Sequence, residues 1–84
     1  MKRKETWGIP YSYAIDFFKE QPDVQDMKNG SFHYKNCRIQ VTLLADSIFG
    51  SLTLPRTSIE FSGDPTDLDK IYHRFFIRFL SAGG

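Results

Sequence analysis

The sequence predicts a two-layer α+β fold, in which an antiparallel sheet of three to four strands is covered on one face by two helices. Three observations predict it. The last twenty residues carry a broad apolar stripe at helical spacing. A shorter helical stripe lies near the N terminus. Between them, apolar and polar side chains alternate in runs joined by short connections, which favours an antiparallel meander.

The C-terminal helix is predicted from Asp64 to Ala82 and is the strongest signal in the chain. Asp64 suits the N-cap position, Pro65 suits the first helical position, and Gly83 suits a left-handed C-cap. The burial of its apolar stripe is too small to stabilise the helix alone, so a sheet or a partner must cover that stripe. The apolar stripe consists of Leu68, Ile71, Tyr72, Phe75, Phe76, Phe79 and Leu80.

The N-terminal part is predicted to contain an irregular lead-in and one short helix. Residues 1–9 are expected to be irregular, with Trp7 as an anchor to the body of the domain. Residues 10–21 are predicted as a helix, because Pro10 suits its first position and Pro22 ends it. The stripe of this helix consists of Tyr11, Ala14, Ile15 and Phe18, with Tyr13 and Phe17 toward another side.

The middle of the chain is predicted to form the sheet. A change in the phase of alternation near Asn36 predicts a turn between two strands. A further short strand at residues 24–27 would pair back across a turn at Asn29-Gly30. The predicted strands of the meander are residues 31–35, 37–45, 48–54 and 57–61.

Length, charge and cysteine content restrict the class of protein. The 84 residues are predicted to form one domain, residues 1–84. The net charge of +1 produces no strong field toward nucleic acid or an anionic membrane. The single cysteine, Cys37, excludes an intrachain disulfide, and no apolar run is long enough to span a membrane. We therefore expect a cytoplasmic protein that does not associate with membranes.

The sequence contains no recognisable catalytic or metal-binding motif, so we expect a non-enzymatic protein without a metal or cofactor. His33, Cys37 and His73 are its only histidine and cysteine residues, and their spacing matches no zinc motif. Cys37 lies on the apolar side of a predicted strand, where a thiol is normally inert packing. The aspartates at the start of the C-terminal helix are explained by capping and by the helix dipole.

The outer face of the C-terminal helix is the candidate contact surface. Ile77 lies opposite the apolar stripe, among cationic side chains. An apolar centre with a charged rim is typical of a protein interface. The sequence therefore predicts a protein–protein interaction module, such as an adaptor, an assembly subunit or an inhibitor, that binds a partner or a second copy of itself. The predicted contact residues are Lys70, His73, Arg74, Ile77 and Arg78.

The same basic helix face suggests a second function, nucleic-acid binding. Arg38 and Arg56 could extend the basic surface, and aromatic side chains on a sheet can stack against bases. However, the charge is nearly balanced and no RNA-recognition signature is present, so a solvated helix face is the simpler interpretation.

The C terminus suggests a third function. The chain ends in Gly83-Gly84, which resembles the tail of the ubiquitin-like sulfur carriers. The resemblance implies that the terminal carboxylate is adenylated and then thiolated. It also implies a β-grasp fold whose last strand runs into the tail, whereas here a helix is predicted directly before the glycines.

Overall fold

The structure, a computed structural model, describes residues 1–82, and it describes their side chains as far as residue 80. Its elements in chain order are β1 (Lys2–Trp7), α1 (Tyr11–Glu20), β2 (Gln25–Asp26), β3 (Ser31–Tyr34), β4 (Cys37–Leu43), β5 (Ser47–Phe49), β6 (Leu52–Leu54), β7 (Thr57–Gly63) and α2 (Pro65–Ala82).

The main sheet has five strands in the order β1-β7-β4-β3-β2, and every neighbouring pair is antiparallel. Both helices contribute to one core with the inward side chains of this sheet. The predicted α+β class, with an antiparallel sheet packed by two helices, is confirmed. The sheet has one strand more than the upper limit expected from the sequence, and β5 pairs only with β6 in a separate hairpin.

The extra strand is β1, so the expectation of an irregular lead-in over residues 1–9 was wrong. β1 pairs with β7 from Lys2↔Ser62 to Trp7↔Thr57 and forms an edge of the sheet. Its inward side includes Glu5, which accepts hydrogen bonds of 2.9 and 3.0 Å from the Tyr72 hydroxyl. Charged residues occupy both faces of β1, so its alternation is not visible in the sequence. The inward Glu5 is tolerated because the Tyr72 hydroxyl of α2 donates to its carboxylate.

The segment predicted as one strand over residues 48–54 is instead a hairpin. The chain reverses at Gly50, whose φ of +61° lies in the left-handed region that glycine adopts without steric cost. Ser47, at the start of β5, faces Leu54, at the end of β6. The apolar side chains of this segment are therefore exposed on a separate two-stranded element.

α2 begins as predicted, since the Asp67 amide donates to the Asp64 carboxylate at 3.0 Å. The observed buried stripe is narrower than the predicted one, because Leu80 is 54% exposed. The predicted Gly83 cap lies outside the described residues. The stripe members that are fully buried are Leu68, Ile71, Phe75 and Phe79, while Tyr72 and Phe76 are half-buried.

α1 occupies the predicted segment, with Pro10 as its N-cap instead of its first helical residue. Phe17 is buried together with Phe18, although the sequence pattern placed it on a different side from the stripe. Both rings contact Phe75 of α2, at centroid distances of 5.6 Å. The helix therefore buries a wider face than its periodicity indicates, because it packs against α2 as well as the sheet.

Candidate functional site

The predicted contact face of α2 contains two arginines that pair with acidic residues of the same chain. Arg74 Nη1 and Nη2 donate to the two carboxylate oxygens of Asp23 at 2.8 and 3.0 Å. Arg78 Nη1 lies 3.2 Å from Glu20 Oε2. These contacts join α2 to the last turn of α1 and to the connection that follows it. Part of the positive charge on this face is therefore neutralised within the molecule.

The hydrogen bonds from Arg74 lower the pKa of the Asp23 carboxyl below its usual value. The same pair raises the pKa of Arg74. Lys70 and His73 are exposed on this face, and Ile77 is 54% exposed. The structure brings all five predicted contact residues onto one side of α2. Their binding of a partner remains a prediction.

The C-terminal end of α2 lies at one particular end of the sheet. Trp7, the last residue of β1, contacts the rings of Phe75 and Phe76 at centroid distances of 5.1 and 6.0 Å. Trp7 is paired with Thr57, which is paired in turn with Leu43 at the end of β4. The last turns of α2, the end of β4 and the start of β7 therefore meet at the same end.

The surface around the end of α2 combines apolar and charged groups. Phe79 is buried against Phe17, with ring centroids 5.7 Å apart. A shallow depression of about 310 Å³ beside it is bordered by Tyr13 and Arg78. Gly83 and Gly84, the residues that carry the resemblance to sulfur carriers, follow this end in sequence and lie outside the described residues.

Cys37 is packed inside the described part of the chain. Burial raises the pKa of the Cys37 thiol, which is 3% exposed, so the prediction of an inert packed cysteine agrees with its surroundings. Within residues 1–82, no group of three or more histidine, cysteine or acidic side chains is arranged to hold a metal ion. In the same range, neither helix is long and apolar enough to cross a membrane.

The sequence reasoning missed the exposed hairpin formed by β5 and β6. A signal for it was present, because Gly50-Ser51 between two short apolar runs is a typical two-residue hairpin connection. The hairpin links β4 to β7 and so leaves the sheet at the same end as the last turns of α2.

Comparison with known proteins identifies the chain at the level of family. No curated protein matches the sequence. The family model described as "Archaeal MoaD-like protein" matches residues 2–84, which include every strand and helix of the structure and the two terminal glycines. The chain belongs to this archaeal MoaD-like family.

Proposed function

We propose that the protein is a sulfur carrier whose reactive group is the C-terminal carboxylate of Gly84. The observation that supports this most directly is the family match over residues 2–84, which ends on the Gly83-Gly84 tail. The family thus favours the function that the sequence alone supported through only two residues. The interaction module that the sequence favoured more strongly has no comparable support.

The proposed chemistry needs no catalytic side chain from this protein. The Gly84 carboxylate attacks the α-phosphate of ATP, pyrophosphate leaves, and an acyl-adenylate forms. The terminal sulfur of a persulfide on a donor protein then attacks the acyl carbon, AMP leaves, and an acyl disulfide to the donor forms. A thiol attacks the donor's own sulfur in that disulfide, so that the thiocarboxylate leaves and the donor is left in a disulfide with the thiol. We propose on this basis that the protein is a carrier and not an enzyme.

Two glycines at the end of the chain suit this role for a steric reason. Without a Cβ atom, a Gly-Gly segment passes through a narrow cleft and approaches another backbone closely. The packed core of residues 1–82 gives the activating enzyme a folded body to hold while the tail enters its active site. Binding to partner proteins is therefore part of the proposal, and we place the carrier in the cytoplasm.

This chain differs from the β-grasp arrangement that the resemblance implies, because its last described element is the helix α2 and not a strand. In the structure α2 runs up to residue 82, and β1 and β7 are antiparallel neighbours. The family model nevertheless matches the chain from β1 to the last glycine. The proposal therefore depends on the tail and the family, and not on a β-grasp topology.

The test is the intact mass of the protein isolated from its native cells. We expect a fraction in which one oxygen has been replaced by one sulfur, located by fragmentation at Gly84. A chain lacking Gly84 should carry no such modification. The Asp46→Asn variant should retain it, because Asp46 is exposed in the β4–β5 connection. Absence of both the thiocarboxylate and the acyl-adenylate from the wild-type chain would contradict the proposal.

A further inference from the structure

The hairpin of β5 and β6 is the most apolar exposed element among residues 1–82. Its eight residues from 47 to 54 contain no charged side chain. Ile48, Phe49 and Leu52 are 72%, 65% and 56% exposed. None of them belongs to the core cluster or packs against it. These side chains therefore contribute little to the stability of the sheet and helices.

The pairing of the hairpin gathers most of its apolar side chains on one face. Phe49 is opposite Leu52, and Ser47 is opposite Leu54. Paired residues of antiparallel strands project to the same face, and successive residues alternate. Phe49, Leu52 and Leu54 consequently form one apolar face, while the pair of Ile48 and Thr53 lies on the other. Single exposed apolar side chains are common on proteins, but a contiguous patch marks an interaction surface.

The hairpin leaves the sheet at the end toward which α2 runs. The flanking strands β4 and β7 meet the hairpin at the pair of Leu43 and Thr57. Trp7, which pairs with Thr57, contacts α2 at this same end of the sheet. The 18 residues of α2 span about 27 Å and the seven residues of β7 about 24 Å. The helix therefore runs the full length of the sheet, and Ala82, its last residue, lies toward the end from which the hairpin leaves.

We propose that the face formed by Phe49, Leu52 and Leu54 is the docking surface for the enzyme that adenylates Gly84. This inference rests on the proposed function. A protein that receives the residues after Ala82 approaches the end of the molecule where α2 finishes, and the hairpin leaves the sheet at that same end. Because residues 47–54 carry no charge, the matching surface on that enzyme is an apolar groove.

The course of α2 favours this occupant over a second copy of the chain. A copy seated on the hairpin would cover the end of the molecule toward which α2 runs, and a carrier must leave the residues after Ala82 accessible. Dimerisation through the hairpin is accordingly the competing outcome of the test.

The experiment measures ATP–pyrophosphate exchange by the adenylating enzyme of the native cells. The enzyme is purified by following the exchange activity that appears when the full wild-type chain is added. The test variant is Phe49→Asp with Leu52→Asp. Two controls, used singly and combined so that the added charge matches, place aspartate elsewhere: Thr53→Asp on the opposite face of the hairpin, and Met27→Asp at an exposed apolar position after β2. Thermal unfolding of each variant confirms that it is folded, and Phe49→Ser with Leu52→Ser provides a milder pair.

We expect the aspartate pair to raise the KM for the carrier about tenfold or more, with kcat changed less than about twofold and the controls close to wild type. Exchange that the wild type and the double variant support with equal KM would overturn the docking inference alone. The same holds if light scattering shows a wild-type dimer that the variant dissociates without a change in KM. Absence of any exchange with the wild type would instead overturn the proposed function, and this inference with it.

Discussion

Arg74 and Asp23 form a two-point ion pair, in which Nη1 and Nη2 donate to the two carboxylate oxygens at 2.8 and 3.0 Å. The two residues are 51 positions apart in the chain. The Arg74 guanidinium also lies over the Tyr34 ring, 5.2 Å from its centroid. The pair therefore ties the outer side of α2 to the connection between α1 and β2, at the edge of the core.

The Asp23–Arg74 pair should make stability depend on pH. Hydrogen bonding from Arg74 lowers the pKa of Asp23 from its ordinary value of 3.8, so this stabilisation is present above that value and is lost as the pH falls through the lower folded pKa. Both side chains are about two-fifths exposed, which limits the contribution to about 0.2–1 kcal/mol. At pH 7 the urea concentration at the midpoint of unfolding should be lower for Asp23→Asn than for the wild type. In strong acid, where Asp23 is protonated, the two midpoints should coincide.

Asp46→Asn is the matched control for this comparison, since Asp46 is exposed in the β4–β5 connection. It should follow the wild type at both pH values. A difference between Asp23→Asn and wild type that persists unchanged in strong acid would show that the loss is not due to the ionised pair.

Phe75 should be among the most costly side chains to remove. It is fully buried, stacks on Phe18 at an interplanar angle of 6°, and contacts Phe61 of β7 and Trp7 of β1. Phe75→Ala should lower the free energy of unfolding by about 3–5 kcal/mol, because it creates a cavity between both helices and the sheet. Urea unfolding followed by circular dichroism measures this.

The control for that prediction is Phe49→Ala, which truncates an exposed phenylalanine of the hairpin. It should change the free energy of unfolding by less than about 0.5 kcal/mol. Equal effects of the two substitutions would mean that the core is not centred on Phe75, or that the hairpin packs on the body.

The Thr57 hydroxyl holds the connection between β1 and α1. It is buried and donates to the Ile9 carbonyl at 2.7 Å. Thr57→Val preserves the shape of the side chain but removes the donor, so we expect a loss of about 1–3 kcal/mol in unfolding free energy. Thr42→Val makes the same exchange at an exposed strand position and should be nearly neutral. Equal stability of the two variants would contradict a structural role for this hydrogen bond.

Cys37 should be protected from thiol reagents in the folded protein. Burial is the main cause that raises its pKa, and the carboxylates of Asp67 and Asp64 contribute to the same shift. Both low exposure and a raised pKa suppress the reactive thiolate. Labelling with a chromogenic disulfide at pH 8 should be about a hundredfold slower than in urea, since it requires local opening. Immediate labelling under native conditions would contradict this prediction.

Prediction from the sequence succeeded where one strong local signal was sufficient. Asp64 and Pro65 set the start of α2 through capping geometry, and the observed hydrogen bond from Asp67 confirms it. The change of phase near Asn36 located the turn between β3 and β4, where Lys35 adopts a φ of +50°. These features depend on neighbouring residues along the chain, which the sequence shows directly.

The candidate site was only partly predictable for the same reason. Gly83 and Gly84 are visible in the sequence, but their importance depends on the family and not on local physics. The binding role of the α2 face is still a prediction, and the ion pairs of Arg74 and Arg78 could not be foreseen. Their partners, Asp23 and Glu20, lie more than fifty positions away and meet them only after folding.

Apolar periodicity was enough to predict the α+β class, both helices and the phase of the central strands, because it records which side of each element is buried. The assembled fold was needed to show that residues 2–7 close the edge of the sheet and that residues 47–54 leave the body as an exposed hairpin. Such outcomes depend on partners distant in the chain. Tyr72 accommodates the inward Glu5 of β1, while nothing in the core cluster covers Phe49.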